Sequence, residues 1–121
     1  MLNPKIEKAI NDQINAELFS AYLYYSMAAH FECLSLKGFS HWLRVQALEE
    51  MTHVQKFYSY VFERGGRIEL QTIEAPQTEW ETPLAVFQSV YEHEQEITAK
   101  VNKLHDSSLD EGHPATSNFL Q

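Results

Sequence analysis

Four side chains of the kinds that bind metal ions occur near the middle of three amphipathic stretches: Glu17, then Glu50 with His53, then Glu94. Each lies on a helical stripe whose ends are apolar, and such a stripe faces the core of a folded domain. A carboxylate in a core costs several kcal/mol unless it is paired or binds a metal ion. The pattern therefore predicts a metal site between helices.

The second stretch offers two ligands from one helix face, because Glu50 and His53 are three positions apart. Carboxylates with a single imidazole favour iron or manganese, since hard oxygen donors hold Fe(III) and nitrogen helps to hold Fe(II). Structural zinc would require cysteine or more histidine. The other histidines have no ligand geometry among themselves and are expected at the surface: His30, His41, His93, His105 and His113.

Three long helices are predicted to position these ligands. The first covers residues 4–34, with Asn3 as its cap and proline as its first residue. The second covers residues 39–64 and ends at two consecutive glycines. The third begins at residue 83 after a threonine cap and continues until residues 110–114 break the pattern. The fold class is all-α, since the chain has few glycines and prolines and no alternating strand pattern.

The core-facing stripes of the three helices are apolar at both ends and polar in the middle. They consist of Ile6, Ile10, Gln13, Glu17, Ser20, Tyr24, Met27 and Phe31; of Phe39, Leu43, Gln46, Glu50, His53, Phe57 and Tyr60; and of Leu84, Phe87, Tyr91, Glu94, Ile97, Val101 and Leu104. The polar middle of each stripe contains the predicted ligands.

The connections between the helices bring these ligands to one depth. The short link after residue 34 makes the first two helices antiparallel, so Glu17 comes opposite about residue 55. The longer link of residues 65–82 allows a return crossover that makes the second and third helices parallel. Glu50 and Glu94 each lie 11 positions beyond the first residue of their own helix, so the two carboxylates are level.

The composition disfavours several classes of partner. A net charge of −8, with 17 acidic and 9 basic residues, argues against nucleic acid or an anionic membrane and is compatible with cations. The longest stretch without a charge or a histidine, residues 18–29, is too short to span a bilayer. The single Cys33 cannot form an internal disulfide, and the N-terminal residues lack the apolar run of a signal peptide. We expect a cytoplasmic protein.

Several segments of the chain resemble the bacterial and archaeal non-haem ferritins. They are residues 11–17 (NDQINAE), 22–24 (YLY), 49–53 (EEMTH), 63–67 (ERGGR), 91–94 (YEHE) and 118–121 (NFLQ). The resemblance implies a subunit with the ferritin-like antiparallel four-helix bundle and its long crossover, usually assembled with identical subunits as a 24-subunit hollow cage. It also implies iron storage and detoxification, in which the protein oxidises Fe(II) with O₂ and stores the product as a ferric mineral.

The resemblance implies a role for each predicted ligand. Glu17, Glu50 and His53 would hold one iron of a diiron site, and Glu50 would bridge to a second iron held by Glu94. Glu49, one position off the stripe, matches the family's carboxylate for a third, more weakly held iron. From sequence alone, an exposed surface glutamate would look the same.

Tyrosines of the first helix have different expected roles. Tyr24 matches the family's tyrosine beside the diiron centre, where it would serve either as an electron relay or as a core side chain with a satisfied hydroxyl. Tyr22 and Tyr25 lie off the core stripe together with Phe19 and Leu23. Because a helix that is apolar around most of its circumference is usually buried on several sides, these residues predict packing between subunits.

The resemblance stops at Gln121, where the family would begin its fourth helix. That helix normally contributes further ligands to the second and third iron positions. We expect that the sequence is a fragment or truncated form of a longer subunit, and that residues 1–121 are one incomplete ferritin-like domain. The alternative is that another chain supplies the missing helix.

Two other functions stay open at this point. One is a bacterioferritin, which would add haem at a two-fold interface, although the amino-acid sequence of the first two helices favours the non-haem type. The other is a truncated or non-catalytic ferritin-like subunit that assembles without an intact diiron site.

Overall fold

The structure, a computed structural model, describes residues 2–110 and 119–120, and the side chains of all of these except residues 109 and 110. Three helices make up most of it: α1, Pro4–Cys33; α2, Lys37–Glu63; and α3, Pro83–Asp110. The described residues contain no strand, which confirms the all-α prediction. No helix among them is long and apolar enough to cross a membrane.

The central helix of the arrangement is α1, which packs against both of the others. Near its C-terminal end, Phe31 contacts Phe39 at the start of α2 and Phe87 at the start of α3. Helices α2 and α3 are therefore both antiparallel to α1 and parallel to each other, as the predicted crossover requires. Their backbones stay more than 8 Å apart at every described Cα atom, and they meet through side chains, as where Phe39 and Trp42 contact Phe87.

The predicted caps of α1 and α3 are present. The side chain of Asn3 accepts a hydrogen bond from the amide of Lys5 at 2.7 Å, and the hydroxyl of Thr82 accepts one from the amide of Ala85 at 3.1 Å. These bonds satisfy amide groups that have no partner within the first turn of a helix.

The link between α1 and α2 is shorter than predicted. Helix α2 begins at Lys37, so Gly38 lies in its first turn and not in the connection. The reversal occurs at Ser35, whose φ of 58° is left-handed, and the amide of Leu36 donates to the carbonyl oxygen of Phe31 at 2.9 Å. A serine thus adopts the conformation that glycine more often supplies at a helix C-terminus.

The stripe predicted for α1 is confirmed, because all eight of its residues are buried. The other two stripes are partly wrong: Phe39, Leu84 and Tyr91 are 42%, 65% and 66% exposed. Helix α3 instead packs on α1 through Val86 and Val90. Leu84 and Tyr91 line a surface cavity together with Phe87, and a sequence pattern does not distinguish the apolar face of α3 that meets α1 from one that is exposed.

The crossover of residues 65–82 runs along α1 and is hydrogen-bonded to it. The buried amide of Asn11 donates to the carbonyl oxygen of Arg67 at 2.9 Å and accepts from the amide of Glu69 at 2.7 Å. Further along, the hydroxyl of Ser26 donates to the carbonyl oxygen of Gln77 at 2.6 Å. One side chain of α1 therefore satisfies two backbone groups of a segment that has no regular structure.

We expect the Asn11→Ala substitution to lower the free energy of unfolding by about 1–3 kcal/mol, because it leaves the Arg67 carbonyl and the Glu69 amide without these partners. Urea unfolding followed by circular dichroism measures this loss. The exposed Asn102→Ala on α3 is the control and should change stability by less than about 0.5 kcal/mol. Equal losses for both variants would contradict an anchoring role for Asn11.

Candidate metal centre

The structure brings three of the predicted ligands together. Glu17 of α1 and Glu50 of α2 are 2% and 4% exposed, and His53 lies one turn after Glu50 on the same helix. His53 Nδ1 is 3.6 Å from Glu17 Oε2 and 3.4 Å from Glu50 Oε2. One atom from each residue lies within 4.8 Å of the others, a spacing that can hold a metal ion.

The burial and hydrogen bonding of the two carboxylates are those expected of metal ligands. Glu17 Oε2 and Glu50 Oε2 are both buried and accept no hydrogen bond from any residue that the structure describes. A buried oxygen without a partner costs free energy, and a bound cation removes that cost. Two carboxylates and one imidazole form a donor set of hard oxygen with nitrogen, which suits iron and falls short of the cysteine- or histidine-rich sets of structural zinc.

Gln13 holds the Glu17 carboxylate in place. Its Nε2 donates to Glu17 Oε1 at 3.1 Å, four residues along the same helix. The other oxygen, Oε2, is the one that approaches His53. A neutral amide thus orients a ligand without neutralising its charge, as hydrogen-bonding partners commonly do around metal sites.

Glu94 of α3 lies beside this group and is bound to Tyr24, whose hydroxyl donates a hydrogen bond to Glu94 Oε1. Burial raises the pKa of Tyr24, and the negative charge of Glu94, followed by those of Glu50 and Glu17, raises it further. Tyr24 therefore keeps its proton and acts as a hydrogen-bond donor toward Glu94.

Glu50 is the carboxyl group of the site whose pKa is raised. Burial, followed by the adjacent carboxyl groups of Glu17 and Glu94, raises the pKa of the Glu50 carboxyl from 4.5 to about 10. Without a cation, Glu50 is protonated at neutral pH, because its ionised form would be buried next to two other carboxylates.

The group has an open side. The side chain of His53 is 48% exposed, and a cavity of about 270 Å³ is lined by both His53 and Glu17. Lys56 and Phe57 of α2, Val101 of α3 and the pair Phe119 and Leu120 line its remaining walls. Phe119 stacks on Tyr60 with ring centroids 4.1 Å apart. A small ligand can reach the carboxylates through this cavity.

Glu49 stands apart from the three-residue group. It is exposed on α2, and the group of metal-binding side chains found among the described residues does not include it. Any ligand function of Glu49 therefore concerns a separate position near the surface.

The prediction that the remaining histidines lie at the surface is wrong for three of them, since His30, His93 and His105 are half-buried. His41 is exposed, and His113 lies outside the described residues. His93 is the important case, because its Nε2 is 2.6 Å from the hydroxyl of Ser20 on α1. The signal that could have found it is its spacing from Val90, three residues earlier on the buried face of α3.

Comparison with known proteins places the chain among relatives of one kind. The ferritin family model, described as a ferritin-like domain, matches residues 7–121. A bacterial non-heme ferritin of Bacteroides fragilis is 41% identical over 120 residues, which cover 99% of this chain and 76% of that protein. A bacterial non-heme ferritin of Escherichia coli O6:H1 is 37% identical over 121 residues, which cover 100% of this chain and 73% of that protein.

Solved structures show the same likeness. A humanized archaeal ferritin superposes with a TM-score of 0.98 at 51% identity and covers 100% of this chain, which corresponds to 73% of that chain. An open-pore ferritin from Archaeoglobus fulgidus superposes with a TM-score of 0.98 at 49% identity, covering 100% of this chain and 75% of that one.

Proposed function

We propose that this chain, which belongs to the ferritin family, stores iron and oxidises Fe(II) with O₂ at the group formed by Glu17, Glu50 and His53. The observation that carries the proposal is the pair of buried, unpartnered carboxylate oxygens that converge on one imidazole. The relatives that are 41% and 37% identical to this chain are named bacterial non-heme ferritins, which supports iron as the metal.

The proposed division of roles follows from position. Glu17 and His53 bind the first Fe(II), Glu50 bridges to the second, and Glu94 contributes a ligand to the second site from α3. Glu50 suits the bridging role because the carboxyl groups of both Glu17 and Glu94 are near enough to raise its pKa. Glu49 is proposed as a ligand of a third, separate iron on the exposed side of α2.

In the proposed reaction, each of two Fe(II) ions loses one electron, and O₂ takes up these two electrons with two protons to give hydrogen peroxide. Binding of the metal displaces the proton of Glu50, so that three carboxylates face the ions. Attraction to these charges is stronger for Fe(III) than for Fe(II), because it scales with the charge of the ion. The protein therefore favours oxidation by stabilising the product.

Tyr24 supports this chemistry through Glu94. Its hydroxyl holds one oxygen of that carboxylate and leaves the other oxygen for the metal. Because the pKa of Tyr24 is raised, we propose that its phenol remains a hydrogen-bond donor and does not become a metal ligand.

We further propose that the chain acts as one domain within a cytoplasmic homo-oligomer, a 24-subunit cage. Tyr22 and Tyr25 on α1 are 51% and 43% exposed. Together with Met51 of α2 and Ile73 of the crossover they line a mainly apolar cavity of about 520 Å³. Apolar surface of this kind supports contact with further subunits.

Oxidation of Fe(II) in the presence of the protein tests the proposed function. Two Fe(II) per subunit are mixed with aerated buffer, and the ferric product is followed by absorbance and O₂ uptake by an electrode. We expect oxidation many times faster than in protein-free buffer, and strong inhibition when Zn(II), which competes for the same ligands, is added first. A rate equal to that of the buffer would overturn the ferroxidase proposal, even if the oligomer forms.

A further inference from the structure

A second polar contact links α1 to α3 one turn away from the Tyr24–Glu94 bond. The hydroxyl of Ser20 is completely buried and lies 2.6 Å from His93 Nε2. The His93 ring also packs edge-on against the ring of Tyr24, with centroids 5.9 Å apart. Ser20 and Tyr24 are neighbours on one face of α1, and His93 directly precedes Glu94 on α3.

The direction of the Ser20–His93 hydrogen bond follows from the second contact of the serine. The Ser20 hydroxyl donates to the carbonyl oxygen of Ala16 at 3.0 Å. Because a hydroxyl has one hydrogen, the bond to His93 must use the N–H of Nε2 as donor and Ser20 Oγ as acceptor. The two hydrogen bonds therefore orient both side chains. The Ser20 hydroxyl is held by the backbone of its own helix, and the His93 imidazole is held by Ser20.

The position of Glu94 depends on this pair because α1 is the helix whose backbone lies against α3. The aromatic side chains of α2, Phe39 and Trp42, contact α3 at Phe87, two turns before Glu94. The α2 and α3 backbones do not approach within 8 Å at the described Cα atoms. Within the described residues, two side-chain hydrogen bonds join α1 to α3, namely Ser20 to His93 and Tyr24 to Glu94. The second bond involves the proposed ligand Glu94 itself. The first, together with the packing of Val86 and Val90, therefore holds α3 against α1 at the level of Glu94 before any metal binds.

We propose that Ser20 and His93 are positioning residues that hold Glu94 at the second iron site, while the first site is independent of them. This inference rests on the proposed function. Loss of the Ser20–His93 bond lets α3 shift at the level of Glu94, whereas Glu17, Glu50 and His53 lie on α1 and α2 and keep their geometry. Partners that orient a metal ligand typically change metal affinity by about 10- to 100-fold when they are removed.

Titration of the metal-free protein with Co(II) tests the inference without relying on oxidation. Visible absorption of the bound Co(II) gives the number of sites and their affinities. We expect the wild-type chain to bind two Co(II) per subunit, and Ser20→Ala to weaken the second binding step about 10-fold with the first step unchanged. His93→Phe, which keeps an aromatic ring beside Tyr24 but lacks the N–H donor, should show the same selective loss.

Conservative variants and a matched control separate positioning from general damage. Ser20→Thr retains the hydroxyl and His93→Gln retains an N–H donor, so both should restore most of the second-site affinity. Ser108→Ala removes a completely buried serine hydroxyl on α3. Its one hydrogen bond among the described residues goes to the carbonyl oxygen of His105 in the same helix, so the variant should leave both binding steps unchanged.

The outcomes distinguish the two proposals. If Ser20→Ala weakens both steps equally, or neither, the positioning role is wrong while two-metal binding stands. If the wild-type chain binds no Co(II), the proposed metal site itself is wrong. If it binds one, Glu94 forms no second site, and the positioning role of Ser20 and His93 is wrong with it. Because both single variants remove the same hydrogen bond, the double variant Ser20→Ala/His93→Phe should lose no more second-site affinity for Co(II) than either one. Additive losses of affinity would contradict the proposal that the two residues act through one bond.

Discussion

Replacement of Glu50 by alanine is expected to slow Fe(II) oxidation by at least about 100-fold, above the upper end of what loss of an orienting partner usually causes. Glu50 is the buried carboxylate whose pKa is raised by both Glu17 and Glu94, and it is the proposed bridge, so its loss removes a ligand from both proposed iron positions at once. Stopped-flow absorbance of the ferric product at two Fe(II) per subunit measures the rate.

The control for this variant is Glu63→Gln, which removes an exposed carboxylate from the last turn of the same helix and should leave the rate unchanged. Glu17→Ala and Glu94→Ala should each slow the reaction less than Glu50→Ala, because each removes a ligand from one proposed position. If Glu50→Ala oxidises Fe(II) at the wild-type rate while remaining folded by circular dichroism, Glu50 is not the bridging ligand.

The sequence was sufficient to predict the fold class and the convergence of Glu17, Glu50 and His53, because both depend on local regularities. The stripe on α1 repeats every three to four residues without interruption and faces both other helices, so its apolar and polar members reveal the core and the site together. Short and long connections then determine which helices are antiparallel.

Features that depend on packing between distant residues could not be predicted in this way. Leu84 and Tyr91 look like core residues, but α3 contacts α1 through Val86 and Val90, and the rotation of one helix against another depends on how their side chains fit. The partner of His93 is a serine 73 positions away, and the Asn11 anchor acts on backbone groups of a loop. Neither leaves a periodic pattern in the sequence.

The raised pKa of Glu50 predicts that the proposed site lowers the stability of the metal-free protein as the pH rises. In the unfolded chain this carboxyl ionises near pH 4.5, whereas in the folded protein it keeps its proton up to about pH 10. Between these values the folded state binds one more proton than the unfolded state, so the Glu50 contribution to stability is complete below pH 4.5 and is lost progressively as the pH increases.

From pH 5 to pH 7 this linkage corresponds to a loss of about 2–3 kcal/mol, at about 1.4 kcal/mol for each pH unit. Glu50→Gln cannot ionise and should remove that part of the pH dependence, so that the variant gains stability relative to wild type as the pH rises. Thermal unfolding of metal-free protein at fixed concentration, with a chelator present, measures the difference.

Glu63→Gln, on the exposed surface, is the control, and its stability should change with pH as that of the wild type does. If the stability of wild type and of Glu50→Gln changed with pH in the same way, Glu50 would be ionised in the folded, metal-free protein. The prediction that it holds a proton between the other two carboxylates would then be wrong.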